Sequence, residues 1–310
     1  MICYLAGYQG STAEREHRLA DVGITHRCIS FANVVPVPGL PFYVKSIADG
    51  YRVCLERGIR VMMDSGVISY RTFLDFCRRR GIAASVGTDT FLDLYARFCA
   101  ENAVKWDYYV TADFSKKAEE NVCTLETLVQ RGLRPVPVYH GGSLDCLERY
   151  VDMGFTFIAL GSAWNKIKSP SVCRMRRYWD TLFDFGAKRG VEFHGLAQTK
   201  PWVMLEYPWR SVDSSSWARM AGFGNIMRFD ESSCRLTWLH VSSQSCLVAR
   251  LHRNKDLAKR VGRQIEDEGF DYKALQEDTT ARHIYNGLAM QRLAQFATER
   301  LRCGRFRSWI

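Results

Sequence analysis

The sequence predicts an α/β fold, a (β/α)8 TIM-type barrel with a basic helical extension at its C-terminal end. Three observations carry that expectation. Eight short runs of apolar, β-branched or aromatic residues recur at intervals that leave room for a helix, and parallel strands need such crossovers. Several of the intervals place apolar residues at helical spacing. Three runs end on an aspartate and a turn: RVMMDSG at Asp64, DYYVTAD at Asp113 and RSVDSSSW at Asp213. A barrel of parallel strands delivers acidic groups to one mouth in this way. The 310 residues, 47% apolar and 13% aromatic, suffice for one large core. We therefore expect a catalytic barrel over 1–247, with 248–310 packed on it.

ICYLA (2–6) is the first expected strand. Residues 33–43 carry Pro36, Pro38, Gly39 and Pro41, which exclude a helix there and imply an excursion over the barrel top before a helix from Val44 to Arg57. RVMMD (60–64) is the next strand. The helix from Ser69 to Arg80 sets Tyr70, Phe73, Leu74 and Cys77 on one stripe, ends on three arginines that suit its dipole, and stops at Gly81. DYYVTA (107–112), RPVPVYH (134–140) and FTFIALG (155–161) follow, the last two separated by a helix from Leu144 to Met153. Met175 to Arg189 is a helix with Tyr178, Leu182 and Phe185 inward and Gly190 behind it. VEFHGLA (191–197), RSVD (210–213) and NIMRFD (225–230) bring the strands to eight. Beyond about residue 248 the pattern reads as two or three helices, with 13 Lys/Arg against 8 Asp/Glu between Arg250 and Ile310, a basic helical cap.

The formal charge of +10 favours a polyanionic partner, nucleic acid first. The eleven cysteines are scattered, without the even clustering of a disulfide framework. No apolar run approaches the roughly 18 residues of a membrane span, and MICYLAGYQG has no basic leader before an apolar stretch. A reduced, cytoplasmic protein with no membrane partner is expected.

Each aspartate alone reads more readily as a helix N-cap or loop carboxylate. Three at equivalent positions point to acid/base and nucleophilic chemistry around one small molecule. Asp213 precedes Ser214, Ser215 and Ser216, small polar residues before Trp217 that leave a carboxylate accessible and oriented, as a nucleophile requires. His140 precedes Gly141 and Gly142, and His194 precedes Gly195, so a flat ligand can approach the backbone at both. A metal site from His140, His194 and an aspartate lacks the HxH signature that barrel hydrolases carry on an early strand. Cys234, His240, Cys246 and His252 recur every six residues, which fits no common zinc spacing. No metal and no cofactor are expected.

Taken in order, MMDSG (62–66), YYVTADF (108–114), VYHGGS (138–143), FIALGSA (157–163) and SVDSSSW (211–217) resemble the tRNA-guanine transglycosylases, and look closest to their phage and DNA-modifying relatives. The resemblance covers about residues 58 to 240 and rests on the ordered set, since each motif is short. It implies a base exchange at guanine sites in DNA, with a free 7-deazaguanine base entering. Asp213 then falls on the nucleophile that forms a covalent glycosyl-enzyme, and Asp64 on the general acid/base. Asp113 falls on the aspartate that binds the guanine edge. His140 stands where the family usually has a glutamine on the base, and Gly161 and Ser162 fall in the backbone stretch that also holds it. In a phage-encoded protein the compartment is the host cytoplasm.

Departures from the family pattern bear on the substrate. Ile68 replaces the aromatic that usually stacks on the base, so stacking falls to Tyr70 or Phe114. The family's CxCxxC and distant histidine, its zinc motif, is absent from the tail, and no further RNA-binding domain is expected. These weaken tRNA, the alternative substrate, more than they weaken the chemistry. A third reading is a catalytically silent barrel that binds nucleic acid within a modification complex. For a duplex substrate the base must leave the stack. Lys166, Lys168, Arg174, Arg176 and Arg177 are the expected backbone contacts, a basic helix start that opposes the dipole and so hints at phosphate. The entering 7-deazaguanine that the resemblance implies is preQ0, preQ1 or a further derivative.

Overall fold

The computed structural model describes residues 1–7, 12–115, 118–161, 171–198, 200–243 and 255–303. Eight parallel strands form one sheet in the order β4-β3-β2-β1-β8-β7-β6-β5. They are β1 (Ile2–Leu5), β2 (His26–Ser30), β3 (Arg60–Asp64), β4 (Tyr108–Tyr109), β5 (Val138–Tyr139), β6 (Phe157–Leu160), β7 (Glu192–Gly195) and β8 (Ser211–Ser214). The sheet curls until its edges meet at a parallel bridge between Val110 and Val136, where Thr111 N donates to Val136 O at 2.9 Å and Val136 N to Tyr109 O at 2.7 Å. Each strand neighbours the next in sequence, the order of a TIM-like barrel.

The helices return the chain across the outside. They are α1 (Ala13–Asp21), α2 (Phe31–Val34), α3 (Lys45–Glu56), α4 (Val67–Arg80), α5 (Thr88–Asn102), α6 (Ala118–Gln130), α7 (Asp145–Asp152), α8 (Val172–Arg189), α9 (Pro201–Glu206) and α10 (Ser216–Gly222). Gly81 and Gly190 take left-handed conformations at the ends of α4 and α8, as their sequence positions predict.

The set of eight strands differs from the expected one at two places. NIMRFD is β9 (Asn225–Asp230), which pairs antiparallel with β10 (Arg235–His240) in a separate two-stranded sheet. Its place in the barrel belongs to HRCIS, β2, which has too few apolar residues to read as a strand. The reason is a buried ion pair: Arg27 Nε and Nη2 each lie 2.9 Å from a Glu16 carboxylate oxygen, both residues are 1% exposed, and Arg27 Nη1 donates to Leu5 O. A charge satisfied this way sits where an aliphatic residue usually would. Cys234 directly precedes β10 and His240 ends it, roughly 20 Å apart at strand rise; Cys246 and His252 lie outside the described residues.

The tail forms α11 (Lys255–Asp267), α12 (Tyr272–Glu277) and α13 (Thr279–Arg302). The last is no peripheral cap. Its Ile284, Met290, Leu293, Ala294 and Ala297 join Leu5, Val212 and Trp217 in the largest buried cluster, and Gly287 lets it approach β1, since a Cβ there would meet Ile24 and Leu5 side chains at 2.7 and 3.1 Å. It lies against β1 and the short α10, where a barrel's eighth helix packs.

Strand alternation divides the remaining side chains. Cys3, Leu5, Val61, Met63, Ile158, Leu160 and Val212 face the helices, while Tyr4, Cys28, Met62, Val110, Val138 and Ala159 fill the interior. Two residues further along seven of the strands come Ala6, Ser30, Asp64, His140, Gly161, Leu196 and Asp213, mostly small or polar, while after β4 Ala112 turns to the helices and Asp113 takes the place. That layer does not close, and a cavity opens at the C-terminal ends of the strands.

Candidate active site

The cavity measures about 360 Å³, within the usual range of small-molecule sites. Asp64, Asp113 and Asp213 all line it, with His140, Gly161, Ile68 and the backbone of Gly7 and Ala197. Asp213 is buried at the end of β8, and Ala197 N donates to both of its oxygens, at 2.9 and 3.1 Å. Ala197 has φ 52°, a left-handed conformation costly for a residue with a Cβ. Strain of this kind persists where the surroundings impose it, here to aim one N–H at one carboxylate.

Asp64 ends β3. Gly66, at φ 76°, turns the chain so that its N–H donates back to Asp64 Oδ2 at 3.0 Å and starts α4; a side chain there would strike Ala32 and Ser30. Burial pushes the Asp64 carboxyl up to about 6. The charges of Asp113 and Asp213 push the same way, while the Gly66 amide and the Ser30 hydroxyl hold it back. A carboxyl near 6 exchanges a proton readily at neutral pH, the property of a general acid/base.

Asp113 contacts His140 Nε2 through Oδ2. The imidazole fits because Gly161 has no side chain: a Cβ would lie 2.2 Å from His140 Nδ1. Asp113, His140 and Gly161 therefore form one wall, opposite in the strand order from Asp213 on β8 and Ala6 on β1.

Other expected site residues lie elsewhere. Gly141 turns behind His140 at φ 86° and does not reach the cavity. His194 is fully buried one layer below it, on β7. Arg174 and Arg177 are exposed at the start of α8, on the cavity end of the barrel. Arg176 is held by Glu206, at 3.0 and 2.6 Å, and lies over the Trp202 ring. Ser162, Lys166 and Lys168 fall outside the described residues. Tyr70 is not available for stacking on a ligand: it is fully buried, stacked on Phe91, with its hydroxyl donating to Val86 O. Phe114 packs edge-on against the same two rings. Ile68, 78% exposed, is the large apolar side chain that reaches the cavity rim.

Ser65 of MMDSG lines the cavity as well, as do Cys28, Ser30, Asn33 and Ser69, which belong to no motif. The period-2 rule would have found Cys28 and Ser30 once HRCIS was known to be a strand. Among the described residues no group of three or more His, Cys, Asp or Glu side chains is arranged to hold a metal ion, and no helix is long and apolar enough to cross a membrane.

No protein-family model matches the chain, and no curated protein matches it. Among solved structures it is similar to a mandelate racemase/muconate lactonizing protein from Herpetosiphon aurantiacus, with a TM-score of 0.41 and 10% identity over 69% of this chain and 54% of that one. The chain thus spans about half the length of that protein, and a likeness this distant carries no argument about the site.

Proposed function

We propose that the chain is a pentosyltransferase that exchanges guanine in DNA for a 7-deazaguanine base by double displacement. The observation that carries the reading is the convergence on one cavity of a clamped carboxylate, Asp213, and a second carboxyl raised to about 6, Asp64. Cleavage at C1′ passes through an oxocarbenium-like state, for which a carboxylate pair is the usual solution. In the first displacement an Asp213 oxygen bonds to C1′ as the bond to the purine breaks. The electron pair leaves with the purine, which takes a proton from Asp64. In the second, Asp64 accepts the proton from the ring nitrogen of the incoming base, whose electron pair displaces Asp213. Two inversions restore the β configuration, and protons balance without a cofactor.

The wall of Asp113 and His140 supports recognition of the base. Asp113 accepts from the ring N–H and exocyclic amine that guanine and 7-deazaguanines share, while His140 fixes its second oxygen. Arg174 and Arg177, exposed at the start of α8, suit phosphate contacts, and the basic tail adds to the field.

The test is a covalent adduct. Incubated with a guanine-containing oligodeoxynucleotide, the protein should give a species that survives denaturing electrophoresis, and Asp213→Asn should abolish it. Mass spectrometry of nucleosides after adding preQ0 or preQ1 then reads the exchange. An adduct that forms only with tRNA transfers the assignment to RNA. An undiminished adduct with Asp213→Asn overturns the nucleophile.

A further inference from the structure

The barrel interior directly beneath Asp213 is polar, where branched aliphatic side chains are the rule. His194 and Ser211 are 0% and 1% exposed and sit side by side in the β7–β8 register, one layer below the carboxylate. Ser211 Oγ lies 2.8 Å from His194 Nδ1, Tyr108 OH lies 3.1 Å from the same nitrogen, and the two hydroxyls are 3.0 Å apart. The Tyr4 ring packs edge-on against both Tyr108 and His194, and its hydroxyl donates to Asp107 and also hydrogen-bonds Tyr108. On the other side of the imidazole, Nε2 has no hydrogen-bond partner within ordinary length, although it is buried. It lies 3.5 Å from Asp213 Oδ2.

The tautomer follows from the groups on either side of the ring. Tyr108 and Ser211 meet Nδ1 in a triangle, where Ser211 can donate to Nδ1 while Tyr108 donates to Ser211 or to Tyr4, so that side of the ring accommodates a bare Nδ1 and the carboxylate on the other side selects it. Nδ1 is then the acceptor, and the ring proton stands on Nε2, facing Asp213. The opposite tautomer would aim a lone pair at a carboxylate and leave a buried acceptor unmatched.

We propose that His194 is a positioning residue for Asp213, presenting Nε2–H to Oδ2 from inside the barrel so that the carboxylate is gripped from below by the imidazole and from the side by the Ala197 amide. The proposal rests on Asp213 being the nucleophile. Gripped in this way, Asp213 keeps Oδ1 aimed at C1′, and the same N–H stabilises the charge that returns to the carboxylate when the second base displaces it. His194 touches neither base nor sugar.

The experiment compares His194→Met, which fills the space without a donor, with His194→Gln, whose side-chain amide restores one near the position of Nε2. Single-turnover formation of the adduct should slow by roughly 100-fold in the first, as for a misplaced reacting group, and recover to within several-fold of the parent rate in the second. Affinity for the free 7-deazaguanine base should stay unchanged in both. Nitrogen-15 spectra of the unmodified protein add a readout independent of activity: Nε2 should show a protonated and Nδ1 a bare resonance, and Asp213→Asn should move the Nε2 signal much more than Nδ1. A proton on Nδ1 alone, an unimpaired His194→Met adduct rate, or equal impairment of both variants overturns the proposal. If the spectra are as expected but no adduct ever forms on Asp213, the transglycosylase reading fails while the His194 to Asp213 link stands.

Discussion

At the scale of single residues, the site depends on two carboxyls and one missing side chain. Asp64 has its folded value raised from 3.8 to about 6 by burial, so the folded protein binds a proton that the unfolded chain has released between those values. Stability from this group is complete below about pH 4 and is lost as the pH rises through about 6, a difference on the order of 1–3 kcal/mol. Asp64→Asn should therefore melt a few degrees higher than the parent protein at pH 7.5 and at the same temperature near pH 4, while losing roughly 100- to 10,000-fold in turnover. Equal melting at both pH values would falsify the strain assigned to its burial. With protonated Asp64 as the acid, kcat/KM should fall tenfold per unit above about pH 6, a limb that Asp64→Asn removes. At Gly161 a methyl group would displace the His140 ring from Asp113. Gly161→Ala should weaken binding of the free base by about 1–3 kcal/mol, measured by calorimetry, with DNA affinity unchanged. A parallel loss of both affinities would mean that the wall has collapsed.

At the scale of elements, β2 shows how a strand is held without an apolar sequence. Arg27 bonds Glu16 on α1, donates to the last carbonyl of β1, and lies 5.0 Å from the Trp217 ring at the start of α10. Trp217 in turn donates to Ala6 O at 2.6 Å. One guanidinium thus ties the first strand, the first helix and the turn after Asp213 together. Arg27→Met leaves the Glu16 carboxylate buried with much of its compensation gone, and should cost about 3–5 kcal/mol in urea unfolding. A loss under about 1 kcal/mol would show that Arg15, 3.4 Å from Glu16, suffices alone.

At the scale of the whole molecule, the proposed function draws on the balance of +10 and the exposed Arg174 and Arg177 for contact with nucleic acid. Binding driven by counterion release falls steeply with salt, by about 0.9 in log affinity per log salt for each phosphate neutralised. Arg174→Ala with Arg177→Ala should flatten that slope by up to roughly one unit for each phosphate no longer neutralised and leave sequence preference alone, because phosphate contacts position a duplex without reading it. Arg176→Ala should change the slope less, since Glu206 already holds that charge. If the double variant keeps the parent slope, the basic tail becomes the surface to test.

By itself the sequence determined seven of the eight strands, the parallel β/α order and the positions of Asp64, Asp113 and Asp213 at strand ends, because each is written in local periodicity and turn chemistry. Local pattern also placed the stops at Gly81 and Gly190. Only the tertiary structure decided that HRCIS enters the barrel and NIMRFD does not, since the buried pair of Arg27 and Glu16 is eleven residues apart in the chain and reads as surface charge until the fold brings it inside. It also decided that α13 packs as a barrel helix, that Arg176 answers to Glu206, and that His194 stands under Asp213 instead of in the cavity wall. Those outcomes depend on which side chains meet across strands and helices, and hydrogen bonds and ion pairs between distant residues leave no period in a sequence.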